Sequence, residues 1–184
     1  MLYWHFRNIQ CILLSFFSPR GTSLTQPLSR TFIANPYDSD WFQVVQAGRF
    51  FTYTDAVRWE LGFRTGFLQA AIKSRWVIIM GGQKIIHRRP IRIFRRFRIT
   101  YQIAGWDDHW FYAAHVFRQG GDVKAVSFSK VGLRKNGKLL SPETAFAEFG
   151  RTEAAPPPTW VYRHFETDRE TLEEAARMLP ESIV

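Results

Sequence analysis

The spacing of apolar residues changes once along this chain, and that change limits its fold more than any other feature. Over residues 47 to 68, Phe50, Tyr53, Val57 and Leu61 recur at intervals of three and four, on one stripe of a helix. Arg49, Asp55, Arg58 and Glu60 leave its other faces polar or mixed. Gly66 marks a break before a short second turn, Phe67 to Lys73. Beyond Trp76 the period falls to two. Phe97, Ile99, Tyr101 and Ile103 alternate with Arg96, Arg98, Thr100 and Gln102, as in a strand with one buried face. Trp76 to Met80 and Val123 to Leu133 read as further strands, with turns at Gly120-Gly121 and Asn136-Gly137. Gly81-Gly82 predicts a bulge or a close backbone approach. One long helix followed by antiparallel strands is an α+β pattern, in which the helix covers the apolar face of the sheet.

Trp110 to Phe117 is apolar on both parities, so this strand needs cover on its second face as well. A dimer partner is the expected cover, because closed symmetric pairs are the commonest assembly. A short strand over Arg30 to Ala34 precedes the main helix, and a helix from Pro142 to Phe149 follows the strands. Thr167 with Glu170 forms a capping-box pattern that opens a terminal helix, Asp168 to Leu179. The expected organisation is an apolar helix and linker over 1–29, one domain over 30–150, and a Pro-rich linker and helix over 151–184.

The chain of 184 residues suffices for one domain with a sizeable core. Aromatics make up 16%, enough to fill wide gaps or line an apolar pocket. The net charge of +9 favours an anionic partner: nucleic acid, an acidic membrane surface or a phosphorylated ligand. Lys84, Arg88, Arg89, Arg92, Arg95, Arg96 and Arg98 form the densest basic stretch. They read either as a solvated outer face or as phosphate ligands. Phe94, Phe97 and Tyr101 sit mostly on the parity opposite Arg96 and Arg98 and look like core, which argues against a base-stacking platform for nucleic acid. Cys11 is the only cysteine, which excludes an intramolecular disulfide and a Cys-based zinc site. His87, His109 and His115 lack metal-ligand spacing, so no metal or cofactor is expected. Ile9 to Phe17 is apolar but too short to span a bilayer. It reads first as an interfacial or docked helix on a cytoplasmic protein, with peripheral membrane contact as the corollary, and otherwise as a targeting peptide or a membrane anchor.

The stretch richest in chemistry is Pro36-Tyr37-Asp38-Ser39-Asp40-Trp41-Phe42. Carboxylates just before a helix either cap a turn or, beside amides that lack partners, work on a bound carbonyl. Pro36, Asp38, Asp40, Gly48-Arg49-Phe50 and Asp55 resemble the signature of hotdog-fold acyl-CoA thioesterases. Gly105-Trp106-Asp107-Asp108-His109-Trp110-Phe111-Tyr112 resembles a segment of the 4-hydroxybenzoyl-CoA thioesterase-like branch, differing at His109. Asp107-Asp108 reads by itself as a polar turn.

The resemblance implies a hotdog fold, a long central helix wrapped by a curved antiparallel sheet. It implies an acyl-CoA or other acyl-thioester substrate and a homodimer or dimer of dimers with the pocket at its interface. Asp40 falls on the nucleophile or general base, Ala47 and Gly48 on the oxyanion-binding amides, and Asp55 on the mid-helix acid. Substrate contacts fall on Arg49, Phe42, Val44, Arg88 and Arg89. The branch carries Asn and His where this chain has Phe42 and Val44, and Asn-Asn where it has Gln46-Ala47. A non-catalytic hotdog module that binds an acyl chain or a protein partner is therefore the alternative.

Overall fold

The computed structural model describes residues 23–150 and 159–178. The expected apolar segment Ile9 to Phe17 and the Pro156-Pro157-Pro158 link lie outside them. The described elements run β1 (Leu28–Ile33), α1 (Ala47–Thr65), α2 (Phe67–Lys73), β2 (Val77–His87), β3 (Arg96–Trp106), β4 (Trp110–Gln119), β5 (Asp122–Lys135), β6 (Lys138–Leu140), α3 (Pro142–Phe149), α4 (Thr159–Tyr162) and α5 (Asp168–Met178). The sheet is antiparallel in the order β1-β3-β4-β5-β2, with β6 paired to β5. This is the expected hotdog arrangement, with α1 lying against one face of the sheet.

The helix forms as its spacing dictates. Phe50, Tyr53, Val57 and Leu61 are all buried, against Phe97, Ile99 and Phe117 of the sheet among others. Gly66 ends α1 at φ +80°, a left-handed conformation that favours glycine. Glu60 departs from the expected polar face, because it is fully buried. Arg30 of β1 grips its carboxylate with Nε at 2.7 Å from Oε2 and Nη2 on Oε1, while Arg64 Nη2 lies 2.7 Å from Oε1. This triad ties the first strand to the helix.

The edge strand β2 carries the predicted irregularity at Met80/Gly82. Gly81 and Gly132 flank the Trp110 indole so closely that a Cβ at either would lie 2.5 or 2.7 Å from ring carbons. Strand β1 starts earlier than expected, since Leu24 and Leu28 are both buried and draw the supposed linker into the core. Phe94 is not core. It sits at φ +59° in the β2–β3 loop with its ring exposed, held by a backbone hydrogen bond to Ala34.

The second face of β4 is covered differently from the expectation of a dimer partner. Tyr112, Ala114 and Phe128 on that outer face are buried by Val161 and Phe165 of this same chain. His164 stacks on Phe128 at 3.8 Å between ring centroids. Lys84 of β2 pins the end of this strap through Asp168, at 2.6 Å.

Candidate active site

Two features carry the chemistry, and they sit apart in one chain. The first is the loop before α1. Asn35 caps a single 3₁₀ turn, Pro36–Asp38, and the Asp38 carboxylate accepts the Asn35 N–H in return, at 2.9 Å. The Tyr53 hydroxyl, one and a half turns into α1, donates to the same oxygen of Asp38 at 2.7 Å. The Asp38 carbonyl accepts the Gln46 N–H at 2.8 Å. Asp38 is completely buried, so its role in this fold is to hold the loop to the helix.

Asp40 stands two residues on and is half-buried. Its Oδ1 accepts the N–H groups of Phe42 at 2.8 Å and Val44 at 3.4 Å, the local turn that a short acidic side chain favours. Bridges from Ser39 to Val45 and from Val44 to Arg92 fix the turn against the segment after β2. Gln46 supplies no capping side chain to α1. Ala47 and Gly48 are exposed residues of the first turn, whose amides have no partner within the helix, and nothing lies within 4 Å of where a Gly48 side chain would begin. The helix dipole adds partial positive charge at this spot.

The second feature is a cavity of about 480 Å³ between α1, α2 and the inner face of the sheet. Its wall is mainly apolar, with Trp59, Phe67, Ile103 and Val131 among its members. Asp55 and Arg58 bring charge to it, paired at 3.2 Å. Beneath Arg58 lies fully buried His115, stacked on Tyr101 at 4.5 Å. Burial and the Arg58 charge hold the His115 pKa well below its ordinary value, so the imidazole is neutral. Burial pushes the Tyr101 hydroxyl up to about 12. Next to them the Ser127 and Ser129 hydroxyls are buried on the same sheet face.

Of the residues expected to act together, Ala47 and Gly48 open α1 at the base of the loop, where Gln46 bonds to Asp38, while Asp40 sits farther out at the head of the turn and bonds to Val44. Asp55 is not with them, since eight residues of helix set it about 12 Å farther along the axis. Arg49 is half-buried on the first turn, Phe42 is exposed and Val44 half-buried. Arg88 and Arg89 lie beyond β2, where both backbone amides donate to the Lys124 carbonyl and the Arg89 guanidinium meets Asp122 at 3.2 Å. The Asp107 carboxylate closes the β3–β4 turn, accepting from the His109 and Trp110 amides and the Tyr112 hydroxyl. Desolvation and that bond raise the Tyr112 pKa. Sequence reading missed Arg58, Trp59 and His115. The two serines alternating with apolar residues on β5 were the available signal.

The sequence profile of the thioesterase-like superfamily matches residues 34–165. The chain belongs to this superfamily. It is 28% identical over 130 residues to protein THEM6 of Xenopus laevis, spanning 69% of this chain and 63% of the frog protein. Among solved structures it resembles the probable thioesterase YbaW of Escherichia coli, with a TM-score of 0.61 at 18% identity over 66% of this chain and 96% of that one. It also resembles Slr0204, a 1,4-dihydroxy-2-naphthoyl-CoA thioesterase from Synechocystis, with a TM-score of 0.55 at 12% identity over 69% and 100%. These likenesses place the superfamily member in the hotdog fold.

Proposed function

We propose that the protein hydrolyses acyl-CoA or a related acyl thioester. The observation that carries this reading is that Ala47 and Gly48 open α1 as exposed residues with no side-chain cap, directly after the loop that carries Asp40. Amides that need no reorganisation bind the oxyanion that forms when a thioester carbonyl is attacked. Asp40 acts as nucleophile or as base toward water, and Asp55 holds water or substrate from the cavity wall. Superfamily membership and the solved CoA thioesterase of the same fold support the substrate class.

A second copy on β2 completes the site in this proposal. The strand is a sheet edge with Val77, Ile78, Met80 and Ile86 exposed. Ile78 and Met80, near its beginning, border the cavity, whereas its end runs into the segment that holds the Asp40 turn. Antiparallel pairing about a two-fold axis lays the beginning of one β2 along the end of the other. Each Asp40 turn then meets the mouth of the neighbouring cavity, which removes the 12 Å gap (about eight helical residues). Arg88 and Arg89 lie on the same end and suit the phosphates of CoA.

The test is release of free thiol from an acyl-CoA panel by wild type, Asp40→Asn and Asp55→Asn. We expect Asp40→Asn to lose at least about a hundredfold in kcat with the fold intact. Undiminished turnover in that variant refutes the assignment. The alternative, an acyl-binding module without turnover, draws on the engagement of Asp40 Oδ1 by its own turn and on apolar Phe42 and Val44 beside it. Saturable acyl-CoA binding in calorimetry, without thiol release, selects it. No described helix is long and apolar enough to cross a membrane.

A further inference from the structure

Arg98 on β3 and Arg118 on β4 are directly opposed across the ladder. Opposed residues have Cβ atoms about 5 Å apart, and like charges so placed destabilise a sheet. Arg96 shares their face, about 7 Å from Arg98 along the strand. Thr31 of β1 is the cross-strand neighbour of Arg98 on the other side. These four residues, with Phe97, Gly120 and Gly121, border a shallow pocket of about 430 Å³ that contains no carboxylate. Among the described residues Arg96, Arg98 and Arg118 make no ion pair and no side-chain hydrogen bond. Arg89 nearby differs, because Asp122 answers its charge.

The glycine turn leaves this pocket open. Gly120 and Gly121 have φ of +62° and +86°, and no atom lies within 4 Å of a Cβ at either position. The outer-face strap covers Tyr112 and Ala114, the nearer of them about 13 Å along β4 from Arg118. The β2 edge, where a second copy is proposed, is separated from β3 and β4 by β5. The acyl cavity lies on the other face of the sheet, where Phe97 and Phe117 point into the core. Neither the strap, a partner on β2 nor an acyl group in the cavity covers the three arginines.

We propose that Arg96, Arg98 and Arg118, with the Thr31 hydroxyl, form a binding site for a phosphate group. Guanidinium is planar and offers paired N–H donors that match phosphate oxygens, so one phosphate turns the repulsion between Arg98 and Arg118 into a shared attraction. A phosphorylated nucleotide and a phosphorylated lipid headgroup present this same chemistry.

The test titrates the full-length protein with inorganic pyrophosphate, with adenosine 3′,5′-bisphosphate and with phosphatidylcholine vesicles with or without phosphatidylinositol bisphosphate. Wild type should bind pyrophosphate and at least one of the other two probes, and binding should weaken steeply with salt. The Arg98→Gln/Arg118→Gln protein should lose about tenfold or more in affinity for every probe that binds. Without ligand it should melt at or above the wild-type temperature, because the opposed charges are gone. The nucleotide and vesicle arms identify the source of the phosphate. Lys73→Gln/Lys138→Gln, which removes two exposed cations away from both sites, should leave pyrophosphate affinity within about twofold. Absence of binding by wild type to any probe at millimolar concentration overturns the proposal. So does unchanged affinity in the Arg98→Gln/Arg118→Gln protein, or loss of binding in the Lys73→Gln/Lys138→Gln protein.

Discussion

Tyr53→Phe isolates one hydrogen bond on which the geometry of the Asp40 loop depends. The Tyr53 ring is packed edge-on against Phe32 at 5.0 Å and Phe97 at 4.9 Å, and phenylalanine keeps both contacts. What is lost is the hydroxyl that donates to Asp38 at 2.7 Å in a buried setting. A hydrogen bond to a charged group contributes about 1.5–3 kcal/mol, and the carboxylate left behind has no water to replace it. For a domain of this size each kcal/mol moves Tm by about 2–4 °C, so the expected drop is about 3–12 °C. Urea unfolding should show a lower midpoint with an unchanged m-value. A double-mutant cycle with Asp38→Asn should return a coupling of about 1 kcal/mol or more. Thiol release should fall too, since the loop that carries Asp40 loses its tether to the helix. A stability change under about 0.5 kcal/mol would falsify the idea that Asp38 anchors the loop through Tyr53.

Other expectations follow from the same geometry. His115 has a native pKa below its unfolded value, so the unfolded chain binds the extra proton as the solution is acidified. Its contribution to stability is complete above about pH 6.5 and is lost below it, at up to about 1.4 kcal/mol per pH unit. Denaturation curves of His115→Gln across this window should be flatter than those of wild type. Gly81→Ala places a methyl group 2.5 Å from the Trp110 ring, and chemical unfolding should show a cost of about 1–3 kcal/mol. Glu60→Ala leaves Arg30 and Arg64 facing each other without their carboxylate, and should cost about 3–5 kcal/mol by the same measurement.

Local periodicity made the scaffold legible. The stripe from Phe50 to Leu61 and the alternation after Arg96 each specify a buried face within one element, and both faces are buried as read. Interactions between distant positions were opaque. Glu60 looked like a surface acid until Arg30, from a separate strand, closed over it. The cover on β4 came from Val161 and Phe165, whose register against Tyr112 and Phe128 no local pattern encodes. At the site, the resemblance picked out the Asp40 turn and the helix start. The cavity depends on how Trp59 and Phe67 lean over the sheet, a property of packing and not of spacing.

The strap across the outer face ends on Lys84, a residue of the same edge strand that stands open to a second chain. Tail and rim are thus mechanically joined. If a copy of the protein docks along that rim, the free energy of docking and the free energy of tail closure become one linked quantity. Trimming the C-terminus would then be read out far from the cut, as a change in the protein concentration at which pairs form.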